Sequence, residues 1–118
     1  MGHAINIYNS GQEIDLQIRK YKIDVLGGWR VELGQFSISL VHNQSGRTVN
    51  CERSFWPVQS FAFDKRAKRI FIANIIEAGT YNVEFKNSDT LKVKHTNLFF
   101  IALFQDPLPN DKISIYIH

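Results

Sequence analysis

A chain of 118 residues, 44% hydrophobic and 21% charged, has room for one domain, which on folding removes roughly two thirds of its extended surface from water. Fourteen Lys and Arg against eleven Asp and Glu leave a formal charge of +3. That is too mild for the plainly basic face of a nucleic-acid binder, and it weakly permits anionic partners. The single cysteine, Cys51, excludes an internal disulfide framework and fits a reducing compartment.

The chain starts Met1-Gly2-His3-Ala4-Ile5-Asn6, with no basic region leading into an apolar stretch and no small-residue cleavage site. No signal peptide is read there, so cytoplasm is the expected compartment; secretion stays open should the native chain begin elsewhere. From this point apolar residues recur at every second position, and nowhere do they keep helical spacing for three turns. The expected strands are 4–8, 13–18 with room to run on to 25, 36–42, 48–53, 58–63, 69–75, 80–86, 91–95, 98–104 and 113–117. Asn9-Ser10-Gly11, Gly27-Gly28, Asn43-Gln44-Ser45-Gly46 and Asn87-Ser88-Asp89 punctuate them with residues that tolerate positive φ; the 106–111 loop adds two prolines. About ten short strands at this spacing predict an all-β, single-domain antiparallel β-sandwich over 1–118.

Side-chain parity predicts a hairpin across 80–95, with Phe85 facing Leu91, Val83 facing Val93, Glu84 facing Lys92 and Tyr81 facing His95. Two strands, 70–75 and 98–104, are apolar at both parities, so each needs cover on two faces. Neither is long enough to span a bilayer as a helix, and no transmembrane segment is expected. The missing layer is expected from another segment of the same chain, such as the 52–58 loop, or from a second copy of the chain as a homodimer.

Lys65, Arg66, Lys68 and Arg69 put four cations into five residues. They are expected to form a hairpin tip, either a solvated turn or a joint contact for an anionic group. Trp29 follows the Gly27-Gly28 turn and Trp56 precedes Pro57, so both are expected near strand ends, where an indole face could stack on a sugar ring or anchor a partner. Nucleophile elbows, phosphate loops and His-Glu-x-x-His are all absent from the sequence. His3, His42, His95 and His118 are widely spaced and are read as structural or surface residues. Asp106 and Asp111 fit no calcium loop, and Cys51 is read as an inert thiol on the inward parity. No cofactor and no metal are expected.

Glu77-Ala78-Gly79-Thr80-Tyr81-Asn82-Val83 resembles the acidic-x-Gly-x-Tyr-x-Cys segment of immunoglobulin-like domains, with Val83 in the place of the cysteine. The resemblance implies a tyrosine corner at Tyr81. The same run is similar to an inner strand of jelly-roll carbohydrate-binding modules, and Ile5 to Gly11 with Gly28-Trp29 faintly resembles aegerolysin sandwiches. Immunoglobulin-like and jelly-roll sandwiches are therefore the expected forms. The expected function is a non-catalytic binding module, foremost for a protein partner. Alternatives are carbohydrate recognition through Trp29 and Trp56, or attachment to an anionic membrane surface through the 65–69 cluster.

Overall fold

A computed structural model describes residues 3–7, 11–28, 30–54, 58–62, 65–94 and 113–118. Its strands, in chain order, are β1 His3–Asn6, β2 Gln12–Leu16, β3 Arg19–Leu26, β4 Arg30–Glu32, β5 Ser37–His42, β6 Thr48–Asn50, β7 Glu52–Arg53, β8 Gln59–Ala62, β9 Lys65–Ile75, β10 Gly79–Lys86, β11 Lys92–Lys94 and β12 Ser114–Ile117. The larger sheet runs β1-β12-β3-β9-β7, with β8 also pairing β9; the second runs β2-β10-β5-β6. A short β4-β11 ladder stands beside them, and every pairing is antiparallel. The molecule is an all-β sandwich.

The alternation that marks the strands also builds the core. Tyr21, Ile23, Val25, Phe71, Ala73, Ile75, Ile115 and Ile117 come from the larger sheet. They meet Ile14, Leu16, Ile38, Leu40, Tyr81 and Val83 from the second, at roughly 1.5–3 kcal/mol for each large side chain fully removed from water. Phe36 joins the layers, stacked against Phe85 at 6.0 Å and tilted against Phe71 at 6.1 Å between ring centroids.

The predicted 80–95 hairpin does not form. Tyr81, Val83, Leu91 and Val93 are buried and Glu84 and Lys92 exposed, as parity requires, but the strands they occupy have other neighbours. β10 lies between β2 and β5, with Tyr81 opposite Ile14 and His42, while β11 pairs β4 with Val93 opposite Val31. The turn explains the switch. Asn87 adopts a left-handed conformation at φ 58° ahead of a single 3-10 turn, Ser88–Thr90, and Thr90 Oγ1 donates back to the Asn87 carbonyl at 2.7 Å. Those residues carry the chain away from β10 instead of returning it alongside.

Other expectations are also corrected. The 13–25 stretch is two strands in different sheets, parted at Gln17 and Ile18. The 48–53 stretch likewise divides at Cys51, β6 joining the second sheet and β7 the larger one. β4 has no counterpart among the expected strands. The basic cluster is no hairpin tip: only 63–64 link β8 to β9, and the four cations lie inside β9, bonded to β8 on one side and partly to β3 on the other. The apolar run at 70–75 is one-sided once a β-bulge is counted. The β3-β9 register passes from Ile23 opposite Phe71 to Asp24 opposite Arg69, so Ile70 is an extra residue and joins Phe71 in the core. Ile72 is half-buried and Asn74 exposed on the other face. The second doubly apolar segment, 98–104, lies outside the described residues, as do His95, Asp106 and Asp111.

Tyr81 does form a corner, and its hydroxyl donates to the Glu77 carbonyl. Burial first, and the Glu77 carboxylate second, push the phenol above its ordinary pKa of 10.0, with Arg47 pulling the other way. The corner's contribution is therefore complete below pH 10 and fades as pH rises beyond it. A second tyrosine fastens the neighbouring turn, Tyr21 accepting the Gln17 amide at 2.9 Å.

Candidate functional site

β9 is long enough to hold two short strands along one edge, β8 against its first half and β7 against its second. Where they part, at Arg69 and Ile70, a cleft of about 280 Å3 opens. Its apolar lining is Ile70, with Val31 and Leu33 from β4 and the residue after it. The polar lining is Arg53 and Ser54 at the end of β7, with Lys68 and Arg69. Among the described residues no carboxylate lines it.

Each cation is held by the fold. Arg53 is exposed, and its Nη2 donates to the Gly34 carbonyl at 2.9 Å. Ser54 is anchored through its amide to the Ile70 carbonyl at 3.0 Å, and the Arg69 amide donates to Val58 at 3.0 Å. Lys68 lies opposite Val25 and is half-buried. Arg69 reaches toward Asp24, its cross-strand neighbour, with Nε 3.9 Å from Oδ1. That spacing is ionic rather than a hydrogen bond, and among the described residues neither buried atom has a hydrogen-bond partner. The other carboxylate oxygen of Asp24 is 3.0 Å from His118 Nε2, and the His118 ring stacks on Tyr116 at 4.4 Å.

Of the residues nominated from sequence, Lys68 and Arg69 line the cleft. Lys65 is exposed at the start of β9, and Arg66 is half-buried beside it. Alternation sends Lys65 and Arg69 to one face and Arg66 and Lys68 to the other, so the four do not form one patch. Trp29 and Trp56 lie outside the described residues; along the chain each stands two positions from a lining residue, Val31 and Ser54. Arg53 is the member that sequence reading missed. Its only local signal is a lone cation between Glu52 and Ser54, and nothing in the sequence places it against residues fifteen positions on.

A second recess of about 260 Å3 is lined by His42, Asn43, Gln44, Gly79 and Thr80. Its histidine is already engaged. Nδ1 accepts the amides of Gln44 and Ser45 at 3.1 and 3.2 Å, which leaves the ring proton on Nε2, 3.1 Å from the Ala78 carbonyl. His42 is a structural residue, as expected.

Cys51 packs against the core, and burial pushes its thiol from 9.0 up to about 12. The thiolate fraction at pH 8 is then roughly 1000-fold below that of an unfolded chain. Reaction with a disulfide reagent at pH 8 should be at least about 100-fold slower in the native protein than in urea. Equal rates would contradict the inward placement. Because the folded value is the higher one, this residue costs nothing below pH 9 and destabilises the fold as pH climbs from 9 toward 12.

Among the described residues no three His, Cys, Asp or Glu side chains converge as metal ligands would, and no helix is long and apolar enough to cross a membrane. No family model matches this chain, and neither a curated protein nor a solved structure does, so what the cleft can hold is read from its own chemistry.

Proposed function

We propose that this protein is a non-catalytic binding module whose cleft receives an acidic side chain, with its apolar flank, from a protein partner. The observation that carries the reading is a recess whose described lining holds Arg53, Lys68 and Arg69 beside Val31, Leu33, Ile70 and Ser54, and no carboxylate. Guanidinium and ammonium groups bind a carboxylate through charge-assisted hydrogen bonds, and a partly enclosed, apolar-floored setting strengthens them over the same contacts in open water. A recess near 280 Å3 falls just below the roughly 300–1,000 Å3 of small-molecule pockets, which favours one or two side chains over a cofactor. Ser54 is the one hydroxyl among its described lining residues, and no His, Cys, Asp or Glu accompanies it there.

Fluorescence anisotropy with a glutamate-rich peptide and a lysine-rich peptide of equal length tests this reading. The acidic peptide should bind, and more weakly as salt is added. Arg53→Ala and Lys68→Ala should each weaken it roughly tenfold, with the denaturation midpoint checked in parallel. Equal binding of the two peptides, or variants that bind like the wild type, would remove the cleft as the recognition site.

A further inference from the structure

Five residues along β9 from the cleft, roughly 17 Å at strand rise, the larger sheet ends in an arrangement the cleft does not explain. Ile18 is 67% exposed and Ile76 64%. Ile18 immediately precedes Arg19 and Ile76 immediately follows Ile75, and Arg19–Ile75 is the last rung of the β3-β9 ladder, so both lie at the same end of the sheet. Isolated exposed isoleucines are ordinary; two at one sheet end give that end an apolar character.

Both are displayed by fastened turns. The turn before β3 is tied by the Gln17 amide to the Tyr21 hydroxyl, and the turn after β9 by the Tyr81 hydroxyl to the Glu77 carbonyl. Little ordering is needed to present them to a partner.

Immediately behind them Arg19, Lys20 and Lys22 are all exposed. Opposite Lys20 and Lys22 on β9 stand Asn74 and Ile72, neither of them acidic. Arg19 is kept at this end by its guanidinium, which lies 4.5 Å over the Tyr21 ring. Among the described acids, Glu77 is engaged by Arg47 at 3.6 Å and by Ser45 Oγ at 2.8 Å, and Asp15 by Thr80 Oγ1 at 2.7 Å.

We infer that this end of the sandwich docks on an anionic lipid bilayer, Ile18 and Ile76 entering the acyl boundary while Arg19, Lys20 and Lys22 meet the headgroups. Two isoleucines are far short of the roughly 1,000 Å2 that a stable protein interface buries. They are sufficient for shallow insertion when clustered cations add attraction to a negatively charged surface.

Co-sedimentation of the full chain with phosphatidylcholine vesicles, alone or with one third phosphatidylserine, tests it. The protein should pellet with the anionic vesicles and stay in solution with the neutral ones. Lys20→Gln with Lys22→Gln should lower the partition roughly fivefold per lysine at low salt, and Ile18→Ser with Ile76→Ser at least about tenfold at any salt. All four residues are exposed, so an unchanged denaturation midpoint confirms that each variant folds. Arg53→Ala, in the cleft, should pellet like the wild type, which separates this surface from the peptide site. No pelleting, or pelleting unaffected by the isoleucine pair, would overturn the inference. So would a gel-filtration dimer that the isoleucine pair dissociates, because a second copy would then be the occupant.

Discussion

Gly79→Ala should destabilise the protein by about 2–5 kcal/mol, a large effect for one methyl group. Gly79 has φ 149°, where L residues are strained by about 1–3 kcal/mol, and an added Cβ would collide with the His42 ring. That ring cannot step aside. It is 4% exposed, hydrogen-bonded through both nitrogens and set edge-on to Tyr81 at 4.9 Å, so overpacking adds a further 1–3 kcal/mol or so. Tyr81→Phe, which keeps the ring and loses only the bond to the Glu77 carbonyl, should cost about 1–3 kcal/mol in the same assay. Urea denaturation gives both values. A Gly79→Ala midpoint matching the wild type would show that glycine, histidine and tyrosine do not act as one corner.

Asp24→Ala should cost about 2–4 kcal/mol. The carboxylate is 5% exposed, between Arg69 and His118, and removing it leaves the partly buried Arg69 guanidinium without its counter-charge. The effect stays below that of a fully buried pair because the Arg69 and His118 side chains are 21% and 30% exposed and water screens part of the change. A double-mutant cycle makes the point sharper. Arg69→Met should be destabilising alone and much less so on top of Asp24→Ala, with a coupling of about 1–3 kcal/mol. Additive effects would mean that the 3.9 Å approach carries no energy and that Asp24 serves His118 alone.

Asp24 also shows how hydrophobic alternation can mislead. It sits in Tyr21-Lys22-Ile23-Asp24-Val25-Leu26, where it reads as a solvent-facing residue of a half-buried strand. Its face is in fact buried at this end of the sheet, and Leu26 and Ala67 beside it are buried without belonging to the central core. The bulge at Ile70 is invisible for the same reason. An apolar pair such as Ile70-Phe71 is written identically whether two faces are covered or one residue is extra.

The amino-acid sequence by itself determined that the chain is all β and roughly where its strands run. It also determined which side chains point inward, because a strand's two faces alternate with period two and water sorts them: Ile38 and Leu40, Tyr81 and Val83, Ile113, Ile115 and Ile117 all went inside. The Gly79 and Tyr81 corner was visible too, since a glycine two residues before a tyrosine is a local pattern. Strand neighbours were decided only by the tertiary structure. Sheets are joined by backbone hydrogen bonds that every residue except proline can make, so parity records a strand's face and says nothing about the strand beside it. Hence β10 took β2 and β5 instead of β11, and β6 and β7 parted at Cys51. For the same reason Arg53, unremarkable along the chain, came to share a cleft with Lys68 and Arg69.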